Sequence, residues 1–147
     1  MISPNGLFSF RIIKGIHNSA KYISIIKEVV IPISSLNIGE HFIYQQDNAP
    51  IHTSLETRNF LHSANIGTLK WPTYSPDLNN IENFWSILSN LVYKDGYPKN
   101  IKDLKSKLII AANEMNYSNR LDVINLYASI RKLFCKVIWK RGENLSY

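Results

Sequence analysis

A chain of 147 residues, 45% apolar and 19% charged, has the balance of a single globular domain able to bury its own core. No apolar run approaches bilayer length, no basic start leads into a long apolar stretch, and the lone Cys135 excludes an intramolecular disulfide. The expected setting is therefore intracellular, without membrane or secretory signal, and the net charge of +6 sits wholly in residues 94–147, where eleven Lys/Arg face five Asp/Glu.

Ser3-Pro4-Asn5-Gly6 carries turn chemistry, so Met1 to Ser3 reads as the short arm of a hairpin and Leu7 to Ile13 as a strand. Asn18 is placed to cap a helix with Ala20, Ile23, Ile26 and Val30 at helical spacing, and Pro32 is expected to stop it. Phe42 to Gln46 reads as a short strand. Thr57, Phe60, Leu61 and Ala64 predict a helix, and Ile66 to Trp71 the next strand. Residues 72–80 form a loop rich in Pro, Ser, Asp and Asn. Asn79 then caps a helix with Ile81, Phe84, Trp85, Leu88, Leu91 and Val92 on one face, ended by Gly96 and Pro98. Asn100 caps another, with Ile101, Leu104, Leu108 and Ala112 inward, and a last long helix runs over 119–140. Strands alternating with helices, then helices alone, give an α/β layout.

Two acids stand out by context. Asp47 follows a strand directly, where open α/β sheets place their sites. Glu82 lies in the first turn of a helix, at the edge of its apolar face. Such a pair is placed to share a divalent cation, and magnesium, a hard ion held by a few carboxylates with water and phosphate, suits it. Spacing alone is met sooner by a plain turn at Asp47-Asn48-Ala49-Pro50 and a capping box at Glu82. By itself His52 reads as a loop histidine sooner than a ligand, and Trp71, Phe84 and Trp85 as core sooner than base-stacking platforms. Between Ser129 and Arg141 stand Arg131, Lys132, Lys136, Lys140 and Arg141 with no acid. This stripe fits a polyanion partner, and it also fits a solvated helix face.

The residue strings narrow the choice. QQDNAPIHTS at 45–54 and WPTYSPDLNNIENFW at 71–85 resemble two blocks of the mariner-superfamily transposases, in the branch that includes Sleeping Beauty. The 34 residues between Asp47 and Glu82 match that branch's spacing of its second and third catalytic acids. Gly15, Asn18, Tyr22 and Pro32 resemble the stretch before the second acid, and Ser129, Arg131, Val137-Ile138, Gly142 and Tyr147 the family's C-terminal end. Asn80 stands where the family usually has Pro, and Ile51 where Lys is common.

The resemblance implies an α/β, ribonuclease H-like fold, N-terminally truncated so that the first strand is missing, with C-terminal helices. The whole of 1–147 would then be one partial catalytic domain without a helix-turn-helix module. It implies DNA cleavage and strand transfer, in which one metal ion activates a water or a DNA 3′-hydroxyl and a second stabilises the leaving oxygen. Asp47 and Glu82 would be catalytic and metal-holding, with Mg2+ or Mn2+ as cofactor. Asn48 and His52 would support the site or contact DNA phosphate, and the basic stripe would bind DNA. The partner would be DNA, with self-association as in transposase assemblies, no membrane and no small-molecule substrate, in the nucleus of a eukaryotic cell. The family's first Asp is expected upstream of Met1, so weak metal binding and inactivity alone are expected. The alternative is a non-catalytic nucleic-acid-binding remnant of a transposable element.

Overall fold

A computed structural model describes residues 1–139 except Pro4, Phe8, Glu40, Thr73, Tyr74, Pro76, Asp77, Ser118 and Asn119. For Leu7, Asn37, Arg120, Asp122, Ile130 and Arg131 only the backbone is described. The chain falls into two compact units, residues 1–10 with 75–147, and residues 11–74.

In the first unit, β1 (Ile2–Ser3) pairs antiparallel with β2 (Gly6–Leu7), Ile2 opposite Leu7 and Ser3 opposite Gly6. The short-armed hairpin read from Ser3-Pro4-Asn5-Gly6 is thus present, and the Ser3 hydroxyl accepts the Asn5 N–H at 3.0 Å. The strand expected over 7–13 is not. Its apolar residues divide between the two units: Phe10 packs edge-to-face on Trp85 in the first, while Ile12 and Ile13 of the second are exposed. A run with no single face to bury has no reason to hold one ladder.

The rest of the unit is helical: α5 (Asn80–Tyr93), α6 (Ile101–Tyr117) and α7 (Arg120–Trp139). Phe84, Leu88 and Val92 recur every four residues along α5 and are buried against Ala111, Ala112, Met115 and Val123. The small alanines let α6 lie close to α5, and Met115 fills the space between. Gly96, at φ +88°, ends α5 in the left-handed conformation that glycine adopts without penalty. Asn100 caps α6 as expected: its Oδ1 accepts the Asp103 N–H, and Asp103 Oδ2 accepts the Lys99 N–H. Ile101, expected inward, is largely exposed, because it sits in the first turn ahead of the stretch that meets α5. Trp85 is 43% exposed, at the edge of the face and not within it.

The second unit begins with α1 (Ser19–Ile25), capped by Asn18, whose Oδ1 accepts the Lys21 N–H at 2.9 Å. Ile23, Ile26 and Val30 are buried as their spacing requires, whereas Ala20 is exposed. Pro32 does not stop the helix. Residues Ile26–Val30 form a π-helical turn, in which the Ile31 N–H reaches back to the Ile26 carbonyl, and α2 (Ile31–Asn37) continues from it. Pro32 falls at the start of the new register, where its missing N–H leaves no bond unmade.

Next come β3 (Ile43–Tyr44), α3 (Pro50–Thr53), α4 (Leu55–Ser63) and β4 (Gly67–Thr68). β3 and β4 are parallel, Ile43 opposite Gly67 and Tyr44 opposite Thr68, and Leu69 N–H extends the ladder to the Tyr44 carbonyl. A parallel pair needs a crossover, and α3 with α4 supplies it. Both strands are shorter than their apolar runs suggested. Leu61 and Thr57 of α4 are buried in this unit, together with Ile23, Ile26, Val30 and Ser34.

Candidate active site

Asp47 lies three residues beyond the carboxyl end of β3, on the side where parallel strands deliver functional groups. The chain turns there, as the local residues allow: Asp47 Oδ1 accepts the Ala49 N–H at 2.9 Å. Pro50 then opens α3 at a position that tolerates its fixed backbone angle. The short helix brings His52 back over the turn, with its Nδ1 2.6 Å from the same Asp47 Oδ1. A carboxylate oxygen only accepts, so Nδ1 carries the proton of this bond.

One oxygen of Asp47 therefore takes two donors, and among the described residues Oδ2 takes none. The His52 side chain is 20% exposed and that of Asp47 56%. A shielded imidazole thus holds an open carboxylate by one oxygen. Burial pushes the Asp47 carboxyl up, but the Ala49 N–H, the His52 hydrogen bond and the His52 charge outweigh it and hold the carboxyl below its ordinary value.

Asn48, the other motif residue, donates its amide N–H to the Trp71 carbonyl at 3.0 Å. It ties the Asp47 turn to the start of the second sequence block. Three further residues belong to this cluster. Tyr22 of α1 packs its ring against the His52 ring, centroids 4.2 Å apart and planes tilted by 35°. The Tyr22 hydroxyl lies 2.9 Å from Gln46 Oε1 and 3.3 Å from the Tyr44 hydroxyl. Burial, with Tyr44 and Asp47 nearby, pushes the Tyr22 phenol far up, so it remains a donor. Gln46 Nε2 in turn donates to the His52 carbonyl at 3.1 Å. The polar residues closing the β3 segment were the signal in the sequence for these contacts, but their partners lie up to 24 positions away.

Below α3, the Thr57 hydroxyl is fully buried and donates to the Ile51 carbonyl at 2.7 Å. Ser54, the N-cap of α4, accepts the Thr57 N–H and donates to its hydroxyl. The backbone that carries His52 is thus pinned from both sides.

Glu82 belongs to the first unit. It stands in the first turn of α5, its N–H bonded to the Asn79 carbonyl at 2.9 Å. Next to it, Asn80 is 3% exposed and donates to the Leu126 carbonyl, which fixes the start of α5 against α7. Of the basic stripe, Lys132 and Lys136 are exposed on α7, one turn apart and on one face. Arg131 lies in α7 with its side chain outside the description, and Lys140 and Arg141 lie outside the described residues. Among the described residues, no three His, Cys, Asp or Glu side chains gather into a metal cluster.

The sequence profile described as DDE superfamily endonuclease matches residues 1–105. The chain belongs to that superfamily. Its similarity to transposases bears out the resemblance read from the two blocks. The Tc1 transposase of Caenorhabditis elegans is 40% identical over 78 residues, covering 53% of this chain and 29% of that protein. The Tc3 transposase of the same worm is 37% identical over 108 residues, covering 72% and 32%. The chain thus spans about a third of the length of the curated relatives it matches. In fold it is similar to the catalytic domain of Mos1 mariner transposase, with a TM-score of 0.81 at 17% identity over 97% of this chain and 72% of that one. The fold of this DDE chain is therefore ribonuclease H-like, mixed helix with little sheet. Two further structures of the Mos1 catalytic domain, described with Raltegravir and Mg or Mn, match at a TM-score of 0.70.

The lowered Asp47 carboxyl has a consequence for stability. A depressed folded value contributes stability above the ordinary 3.8, and that contribution is lost as pH falls through the folded value. In metal-free buffer, Asp47→Asn should cost about 0.5 kcal/mol at pH 7, a small figure because the side chain is solvent-screened. The difference should vanish toward pH 2 in urea unfolding. A difference that stays constant across this range would contradict the stabilised carboxylate.

Proposed function

We propose that this chain is part of the catalytic domain of a cut-and-paste DNA transposase, with Asp47 and Glu82 as two of its metal-holding carboxylates. The observation that carries the reading is the state of Asp47. Its carboxylate is ionised, half-exposed and fixed by one oxygen, with the other left open, at the end of a parallel strand and at the position of the family's second acid. An oxygen donor of that kind fits Mg2+ or Mn2+. The structures of Mos1 described with Mg and Mn support the same choice. A bound divalent ion would supply a Lewis acid for phosphoryl transfer on DNA.

The chain's own residues set the conditions for that chemistry. His52 and the Ala49 N–H hold Asp47 Oδ1 and present Oδ2. Asn48 fixes the turn against Trp71, and this backbone support makes Asn48 a holding residue first. Glu82 offers a second carboxylate from the rigid start of α5. Lys132 and Lys136, with Arg131, Lys140 and Arg141 of the same stripe, contact DNA phosphates without reading bases. No helix of the described residues is long and apolar enough to cross a membrane. DNA is the substrate to which the carboxylates and the basic stripe point, and the resemblance to transposases adds the nucleus as its setting.

The metal reading is tested by Mn2+ binding to the full chain, followed by electron paramagnetic resonance. Asp47→Ala and Glu82→Ala should each weaken binding about 10-fold or more, as loss of one of few ligands does. Mn2+ affinity equal to that of the parent in both variants would overturn it.

The DNA reading predicts a salt signature. Each phosphate that a side chain ceases to neutralise should flatten the slope of log affinity against log salt by about 0.9 on duplex DNA. Neutralising Lys132 and Lys136 should therefore reduce the slope by up to about 2, equally on unrelated sequences. An unchanged slope would make the stripe a solvated face.

A further inference from the structure

Around Asp47 the contacts close into a ring. The Tyr22 hydroxyl donates to Gln46 Oε1, Gln46 Nε2 donates to the His52 carbonyl, and the His52 ring returns to lie on the Tyr22 ring. The amide of Gln46 has only one orientation in this ring, because a carbonyl accepts and never donates. The hydroxyl of Tyr44, half-buried on β3, lies 3.3 Å from the Tyr22 hydroxyl. The ring thus constrains His52 in two ways: the tether at its carbonyl holds the backbone, and the Tyr22 ring, tilted by 35° against it, limits the swing of the imidazole. Ser54 and Thr57 hold the same short helix from its other end. From this assembly His52 Nδ1 reaches Asp47 Oδ1 at 2.6 Å.

We propose that Tyr22 and Gln46 are positioning residues for the Asp47 carboxylate, acting through His52. They touch neither the carboxylate nor, on this reading, the metal or DNA. Their work is to hold the imidazole so that its N–H takes Oδ1 and leaves Oδ2 to the ion. The inference rests on Asp47 being a metal-holding carboxylate, and α1, which carries Tyr22, thereby becomes part of the site's framework. Donors behind metal ligands of this kind are worth about 10–100-fold in affinity when removed, and a residue one step further back a fraction of that.

Two readouts on the full chain test it. The first is Mn2+ affinity. Tyr22→Leu and Gln46→Leu should each weaken it about 3–10-fold, and Tyr22→Phe, which keeps the ring face and loses only the hydroxyl tether, should fall between them and the parent. The second is the His52 Nδ1–H resonance by nitrogen-15 NMR in metal-free buffer. It should be sharp and shifted far downfield in the parent, broadened in Tyr22→Leu and Gln46→Leu, and partly recovered in Tyr22→Phe. Should Tyr22→Leu fail to fold, Gln46→Leu and Tyr22→Phe carry the test. Parent-like Mn2+ affinity and an unchanged His52 resonance in these variants would overturn the proposal, while loss of Mn2+ in Asp47→Ala would leave the metal reading standing. If Asp47→Ala keeps Mn2+, the metal reading fails instead, and the His52 resonance alone still decides whether Tyr22 and Gln46 hold the imidazole.

Discussion

One carboxylate oxygen organises the better-defined part of this site. Asp47 Oδ1 receives the Ala49 N–H and the His52 Nδ1–H, and each bond constrains a different thing. The first fixes the turn that leaves β3. The second fixes the side-chain rotamer. Either bond alone would leave the carboxylate free to rotate or the turn free to open. Together they present the remaining oxygen to solvent in a set direction, at little entropic cost when a ligand arrives. The shielding of His52 against the openness of Asp47 follows the same division: the imidazole is packed and the carboxylate side chain is open to solvent.

Much of the surrounding protein serves to make that pair of bonds possible. The parallel β3–β4 ladder sets the strand end, Asn48 clips the turn to Trp71, and the Ser54–Thr57 contacts seat α3 on α4. Within its own unit, α5 depends on a different kind of force. Phe84, Leu88 and Val92 drive it by burial, and Glu82 is carried at the rim of that packed face. A DDE chain thus holds its two matched acids by unlike means, one through polar contacts in a turn and the other through the rigidity of a buried helix.

The legible parts of the fold were those written in local periodicity. α5, α6 and α7 announce themselves through apolar recurrence, and Asn18, Asn100 and Gly96 mark helix termini. The hairpin at Ser3-Pro4-Asn5-Gly6 is a matter of four residues and could be read from them. What failed did so for non-local reasons. Pro32 looked like a stop, but a π-turn upstream shifts the register so that no donor is needed there. The run over 7–13 looked like one strand, but Phe10 and the isoleucines after it belong to different units. The acids themselves were visible only as candidates; the resemblance of the two long sequence blocks singled out Asp47 and Glu82, and the DDE superfamily match over residues 1–105 bears out that resemblance. The ring of Tyr22, Gln46 and His52 could not be read at all, since its partners meet only after α1 packs beside α3.

The central proposal, that Asp47 is a metal-holding carboxylate, is tested most directly by loading the chain with Fe2+ in place of Mg2+ or Mn2+. With hydrogen peroxide as oxidant and ascorbate to return Fe3+ to Fe2+, the bound iron generates hydroxyl radicals that cleave the backbone close to it, and the cut sites are read by mass spectrometry. Cleavage that includes the 45–54 segment is expected, suppressed by excess Mg2+ and lost from that segment in Asp47→Ala. Cleavage scattered among other acidic residues, or unchanged in Asp47→Ala, would contradict it.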